Sequence, residues 1–559
     1  MKKIITLGLI AVLLFVATAC GGPQTLPDGN NKRPPEKIQD EKTQLYVSNY
    51  DGGYGTEWLY AVKDRFEAEY AETEFEEGKK GVQIIVHADK DGYYGVELYN
   101  RMGVTSDEVF FSENLNFNDF IHSDYLLCLN DVVKNENFDG KTILSKMSDE
   151  QRNSLKIEEN YYVIPHYVGY GGINYDIDLF NSKKLYYAKD GAPSELGYGG
   201  KAKYTDLAGE RSAGPDGEYG TYDDGLPATY DELFALCGYM KQAKGIMPFC
   251  WTGQYNTTYS KWILSALAAD YEGKEQMMLN YEFNGTATHL ATVSGSGITI
   301  DANGTEIVNS NGYELYRSAG RYYALKFFEN IIKNNYFDPC GFDDGCSHTS
   351  AQTKYLRSSY NGEPIAMLLE GIWWVNEAKD TFSLMENRYG EEYSIKNRRF
   401  GMMPMPKASA DKIGEKPTII DTHYSFSFIR KNISEKKAEL AKLFLKYCYT
   451  DESLKEFTKV TGLPKALDYD LGSEMQWASP YSKNVWDLYA NSDKVYPFSQ
   501  NKLYLSAQSS FVYGSTFVTA TQKSALDALY NGMTAENYFA DIVSFRNKSL
   551  WDNAYSKYF

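Results

Sequence analysis

The stretch from Leu45 to Val86 constrains the fold most. Leu45-Tyr46-Val47 reads as a short strand, and Asp51-Gly52-Gly53-Tyr54-Gly55 as a glycine-rich turn. A helix from about Thr56 then carries Trp58, Val62 and Phe66 at intervals of four on one face. Gly81 introduces a second strand, Val82 to Val86. This β-loop-α-β unit predicts a parallel sheet. A further strand, Glu108 to Phe111, precedes a helix-like stretch from Asn116 to Val133. Ligands of such sheets bind beyond the carboxyl ends of the strands. The loops Asn49 to Gly55 and Ser112 to Asn116 are therefore candidate site loops on topology alone, with plain surface turns as the alternative for any single residue.

The 559 residues suggest two to four domains at about 150 residues each. Residues 187–228 read as a Gly-rich, charged insertion. Helices are expected at Tyr230 to Lys241, at Tyr313 to Ile332, from a Ser434 cap through Tyr449, and from Thr534. Residues 291–312 alternate as a hairpin would around Asn303-Gly304. The formal charge of −18 argues against nucleic acid, anionic membrane surfaces and polyanionic ligands. The 48 tyrosines offer flat apolar faces with polar tips, suited to amphipathic ligands.

Lys2 and Lys3 precede an apolar run, Ile4 to Val16, that is too short to span a bilayer by itself. Ala17-Thr18-Ala19-Cys20 follows and resembles a bacterial lipoprotein signal, with Ala17 where Leu is usual. An ordinary secretory signal cut near Ala19 is the alternative. The lipoprotein reading gives a signal at 1–19, lipidation of Cys20, a Pro-rich tether over 20–42 and anchoring by acyl chains. Cys128, Cys237, Cys250 and Cys448 read as buried thiols. Cys340 and Cys346 bracket a short loop where a disulfide is possible outside the cell.

Several segments, in order, resemble the extracellular solute-binding proteins (family 1) of bacterial carbohydrate ABC importers, the group that includes maltose-binding protein. Tyr162-Val163-Ile164-Pro165 followed by Gly171-Gly172-Ile173-Asn174-Tyr175-Asp176-Ile177-Asp178-Leu179-Phe180 resembles the crossover strand, with Asn174-Tyr175 in swapped order. Leu226-Pro227-Ala228-Thr229-Tyr230-Asp231-Glu232-Leu233 resembles a helix start of that family. Ala366 to Trp374 resembles the strand ending in Gly-Pro-Trp, with Ile372 in place of Pro. Pro404-Met405-Pro406-Lys407 resembles the segment before the return to the first lobe, and Ala438 to Leu454 the helix pair after it. The resemblance implies an α/β, two-lobed, periplasmic-binding-protein-like fold (type II) with a ligand cleft between lobes joined by crossing segments. Lobe one would hold 43–167 plus 419–460, and lobe two 168–418 plus 461–559, with a 187–225 insertion. It also implies an oligosaccharide ligand, an ABC permease as partner, a monomer and no bond chemistry. A surface glycan hydrolase or lyase and a non-transport adhesin are the alternatives.

A neutral sugar needs aromatic faces and a rim of carboxylates, amides or phenols. Trp373 resembles the family's pocket tryptophan; Trp374, Trp251, Tyr255, Glu370, Tyr50, Tyr54, Glu113, Asn114 and Tyr170 are further candidates. The family's late aromatic position falls near Val512, where Phe511 or Tyr513 compensates. The loop Gly214 to Gly225 groups Asp216, Glu218, Asp223 and Asp224 among glycines, a hard-oxygen set suited to structural Ca²⁺ or simply a solvated acidic turn. No HExxH, GxSxG or phosphate-binding loop is present, and the six histidines show no metal spacing.

Overall fold

A computed structural model describes residues 36–504 and 524–557, apart from 198, 201, 296, 473 and 474. The signal, Cys20 and Tyr513 lie outside the described residues. No helix among the described residues is long and apolar enough to cross a membrane.

Two sheets organise the chain. The first runs in the order Val82–Asp89, Thr43–Tyr50, Val109–Ser112, Phe426–Ile429, Ile164–Pro165. Its first three strands are parallel, as the opening crossover unit requires, and Phe426–Ile429 runs antiparallel to both its neighbours. The Glu57–Glu69 helix covers it with Trp58, Val62 and Phe66, all buried. The second sheet runs Phe400–Met403, Gly171–Asp176, Ile365–Gly371, Met247–Cys250. Every residue of Gly171–Asp176 and Ile365–Gly371 is buried, which is the mark of strands covered on both faces.

Among the described residues the chain passes between the sheets three times. It leaves the first at Pro165 and enters the second at Gly171. It returns through Thr418–Ile420 to Phe426. These two crossings run side by side: the Thr422 N–H donates to the Gly169 carbonyl at 2.8 Å, and His166 N–H to the Ser425 carbonyl at 2.9 Å. A third passage follows the Asp451–Thr461 helix. Ala466 N–H reaches the His166 carbonyl, Asp468 N–H reaches Lys146, and the Pro480–Asn491 helix then rests on the second sheet, where Asn484 Oδ1 accepts the Met402 N–H at 2.6 Å. The chain thus stays with the first lobe to about Asp468, past the expected boundary at 460.

The long helix Asn256–Glu282 relates the two sides of these crossings. Its Trp262 and Ile263 lie against Gly171, its Asp270 accepts the Thr418 N–H, and its Lys274 reaches Glu150 of the first lobe at 2.5 Å. The helix is interrupted at Gly273, with φ +75°, so Lys274 opens a second helical run.

Local expectations hold where a cap or a stripe marks them. Thr229, Ser434 and Thr534 each accept the third helical N–H, as N-caps do. The Asn116–Val133 stretch is two helices, Phe117–His122 and Asn130–Lys134, separated at Asp124 with φ +60°. The hairpin is displaced: Ala291–Ser294 pairs with Gly297–Ile300, and residues 305–307 pair back with 285–287. The Tyr313 helix starts at Ala319, after a 3₁₀ segment ending at Arg317. Residues 186–205 form a small three-stranded sheet inside the insertion. Cys340 and Cys346 are disulfide-bonded.

Trp374 is a core residue. It is fully buried, its indole N–H donates to Asn174 Oδ1 at 3.0 Å, and its ring meets Phe400, Tyr355 and Tyr481 edge-on. Trp374→Ala is expected to cost about 3–5 kcal/mol, read as a lowered denaturant midpoint at unchanged slope.

Candidate functional site

Where the two lobes meet, the carboxyl ends of the first sheet's strands face the ends of the second sheet's elements. Three aromatic rings meet there. Trp373 follows the Ile365–Gly371 strand and lies edge-on to Trp262 at 5.2 Å between centroids. His423, from the second crossing, is 4.2 Å from Trp373 and 4.9 Å from Trp262. Glycines make room for these rings. A Cβ built on Gly53 would stand 2.4 Å from Trp373 Cβ, one on Gly371 would collide with its six-membered ring, and one on Gly169 would stand 2.4 Å from His423 Nδ1. Backbone from both lobes thus presses on one indole. The Tyr259 ring packs against this cluster, 4.7 Å from Trp262.

Tyrosines and carboxyls surround this centre. On the first lobe, Tyr50 lies 5.2 Å from Tyr94 and 6.5 Å from Tyr54. The Tyr167 hydroxyl donates to Glu113 Oε1 at 2.5 Å. Asn114, exposed and at φ +53°, donates its N–H to the His423 carbonyl at 2.7 Å and so fixes the Glu113 loop to the second crossing. On the second lobe, Tyr255 is 43 % exposed at the rim, packed near Tyr259 and His348. Gln352 Nε2 donates to Glu377 Oε2 at 2.9 Å and Glu370 Oε2 at 3.4 Å. Lys90, from the first lobe, approaches Glu377 at 4.0 Å.

Burial decides the charge of these groups. It pushes the Glu113 carboxyl up to about 8, against the opposing Tyr167 hydrogen bond, and Asp421 up to about 7. Glu370 is raised well above the ordinary carboxylate range by burial and then by the charge of Glu377. Burial lowers His423 to about 4, so its ring is neutral at pH 7. The centre is therefore a wall of aromatic rings with protonated acids and phenols, able to donate and accept hydrogen bonds to hydroxyls.

The structure brings together Trp373, Glu370, Tyr50 and Tyr255 from the sequence candidates, with Glu113 and Asn114 beside them. Three others point elsewhere. Trp251 is packed into the second lobe, 5.6 Å from both Phe337 and Phe342, with Gly341 against its ring. Tyr170 is buried with its hydroxyl toward Val485, so Tyr167 and His423 occupy the floor expected of it. Tyr54 is buried behind Tyr50, against Tyr167 and His166. Trp262, Tyr259, His423, Tyr167, Gln352 and Glu377 were not anticipated. The spacing of Tyr255, Tyr259 and Trp262 marks one face of a helix start and is the signal that could have found them.

Of the residues expected to hold calcium, Asp216 and Asp223 lie close together, and burial and then Asp216 push the Asp223 carboxyl up to about 7. Asp223 is buried and accepts from Asp216 N–H and the Thr221 hydroxyl, Asp224 accepts from Gly220 N–H, and Asp216 from Glu218 N–H. The loop's carboxylates are spent on its own donors. Among the described residues, the one group of three potential ligands within 4.8 Å is Cys250, Asp338 and Cys340, and Cys340 is held in the disulfide.

No protein-family model matches the chain, and no curated protein matches it by sequence. Solved structures match it almost end to end. A chitin oligosaccharide binding protein aligns with a TM-score of 0.54 at 15% identity, covering 92% of this chain and 100% of the other. The BlMnBP1 binding protein of an ABC transporter from Bifidobacterium animalis subsp. lactis, in complex with mannobiose, aligns at 0.54 and 14%, covering 92% and 95%. Apo RafE from Streptococcus pneumoniae aligns at 0.52 and 15%, covering 92% and 99%. The chain has the fold of the two-lobed solute-binding proteins. In this chain the aromatic cluster lies where the two lobes meet.

Two outcomes follow from the cleft geometry. Gly53→Val is expected to hold the lobes apart at Trp373, read as a larger radius of gyration by small-angle scattering. Glu113 and Asp421 bind protons more tightly folded than unfolded, so their stabilisation is complete below the ordinary carboxylate pKa and is lost as pH rises through about 7 and 8. Melting temperature should fall between pH 5 and 9, and Glu113→Gln should flatten that slope.

Proposed function

We propose that the chain captures an oligosaccharide outside the cell and hands it, chemically unchanged, to the permease of an ABC importer. The observation that carries this reading is the Trp373–Trp262–His423 cluster at the lobe junction, ringed by Tyr50, Tyr255 and Tyr259 and by the carboxyls Glu113, Glu370 and Glu377. Indole and phenol faces suit the C–H faces of a sugar ring, and the rim suits its hydroxyls. The neighbours in fold support the ligand class by their names. Hinge bending about the crossing segments would close the lobes on the ligand, and the closed pair of lobes would be the surface the permease reads.

The Lys2-Lys3 start, the apolar run and Ala17-Thr18-Ala19-Cys20 support secretion and lipid anchoring at Cys20 on the outer face of the membrane. The segment to residue 42 would hold a monomeric body off the surface.

Titration of intrinsic fluorescence against an oligosaccharide panel tests the reading. Binding of at least one oligosaccharide is expected, and Trp373→Ala should weaken it tenfold or more. The same variant should retain more of its melting temperature than Trp374→Ala does. Absence of binding to every oligosaccharide, with tight binding to peptides, overturns it.

A further inference from the structure

One corner of the cleft holds more acceptors than donors. Glu370 ends the Ile365–Gly371 strand, and Glu377 ends the short helix Trp374–Glu377 that follows. Gln352, on the helix His348–Asn361, is 1 % exposed and lays its amide against both carboxyl groups. The donation from Nε2 to Glu377 fixes the amide's orientation. Its Oε1 is then left with no donor among the described residues. Among the described residues, Glu370 Oε1 accepts only the adjacent Gly371 N–H, at 2.9 Å. A buried acceptor without a donor is costly unless a ligand supplies one.

Acidic groups dominate the charges around this corner. Lys90 Nζ, at 4.0 Å, and the His348 ring, at 3.8 Å, both approach Glu377 Oε1, and no ion pair to Glu370 exists among the described residues. The Tyr259 phenol feels the carboxylates of Glu370 and Glu377, and the Tyr50 phenol those of Glu113, Glu377 and Asp51. The groups facing Glu370 from other elements are the Tyr481 phenol and the Cys250 thiol, neither a cation at neutral pH.

We propose that this corner binds the ammonium group of an amino sugar, whose three N–H bonds meet Gln352 Oε1 and the carboxylates of Glu370 and Glu377. This rests on the reading of the cleft as a sugar site and narrows it. A neutral hydroxyl brings one donor and leaves the other acceptors unmet. A uronic acid brings a carboxylate into a field of carboxylates. Burial and the charge of Glu377 hold Glu370 protonated before binding. An ammonium beside it reverses that balance: the Glu370 O–H bond breaks, its proton leaves to solvent, and the carboxylate pairs with the ammonium. Binding of an amine-bearing ligand is therefore accompanied by proton release, and binding of a neutral one is not.

Calorimetry on the full chain tests this with matched oligomers of glucosamine, glucose and glucuronate in both α-1,4 and β-1,4 linkage. Each titration is run near pH 5, where the sugar amines are already ammonium groups and Glu370 still holds its proton, in two buffers of different ionisation enthalpy. The glucosamine series is expected to bind about tenfold or more tightly than the glucose series, to release close to one proton, and to weaken with added salt. The glucuronate series should not bind. Glu370→Gln keeps the shape of the side chain and should abolish the proton release and most of the preference; Gln352→Met, which removes the unpartnered oxygen, should reduce the preference while leaving proton release in place. Glucose oligomers binding as tightly as glucosamine oligomers, or buffer-independent enthalpies for glucosamine, overturn the amine assignment and leave the sugar cleft standing. Failure of all three series and of every other glycan overturns both.

Discussion

The Thr422–Gly169 hydrogen bond, at 2.8 Å, joins the two crossing segments from which the rest of the cleft hangs. Gly169 has no side chain because the His423 ring stands where one would be. That ring touches Trp373 and Trp262, and Trp373 in turn sits between the backbones of Gly371 and Gly53. These short contacts relate the first strand's turn, the end of the second sheet's central strand, the long helix and both crossings. None of these contacts lies in a sheet, so the pairing within each lobe can persist while the lobes change their separation. Close packing across the junction makes its arrangement discrete, since rings this tightly enclosed do not deform gradually.

Burial of acidic groups at the same junction gives it an unusual chemistry. Glu113, Glu370 and Asp421 stand at the ends of strands or in crossings, where backbone geometry forces them inward, and each is pushed toward its protonated form. A protonated carboxyl both donates and accepts. That suits a polyhydroxylated partner better than a full charge, whose desolvation would have to be offset. The cost is a fold that weakens as alkali strips these protons. Lys274 and Glu150 provide a further charged tie between the lobes at 2.5 Å.

Much of this was legible in the sequence. The crossover unit from Leu45 to Val86 gave the parallel sheet and the Gly53 turn, because helical and strand periodicities alternate cleanly there. The Pro165-to-Phe180 and Ala366-to-Trp374 segments located the crossing and Trp373 through their resemblance to one family. Trp251 misled because a tryptophan after an apolar strand looks alike whether it faces a cleft or a core; only the Gly341 and Phe342 contacts, distant in sequence, decide it. Tyr170 misled by one residue's direction: in an extended crossing, neighbouring side chains face opposite ways, and Tyr167 took the floor instead. Gln352 and Glu377 carried no local signal, since their role depends on two helices meeting one strand end. The acidic loop at 214–225 showed that carboxylates among glycines can serve turn donors as readily as a metal.

Lobe closure on a sugar is the central claim, and small-angle scattering of the chain with and without a saturating oligosaccharide tests it most directly. The account predicts a smaller radius of gyration and a more compact distance distribution in the presence of ligand. A ligand that saturates the chain by calorimetry, yet leaves the scattering profile unchanged, would contradict it.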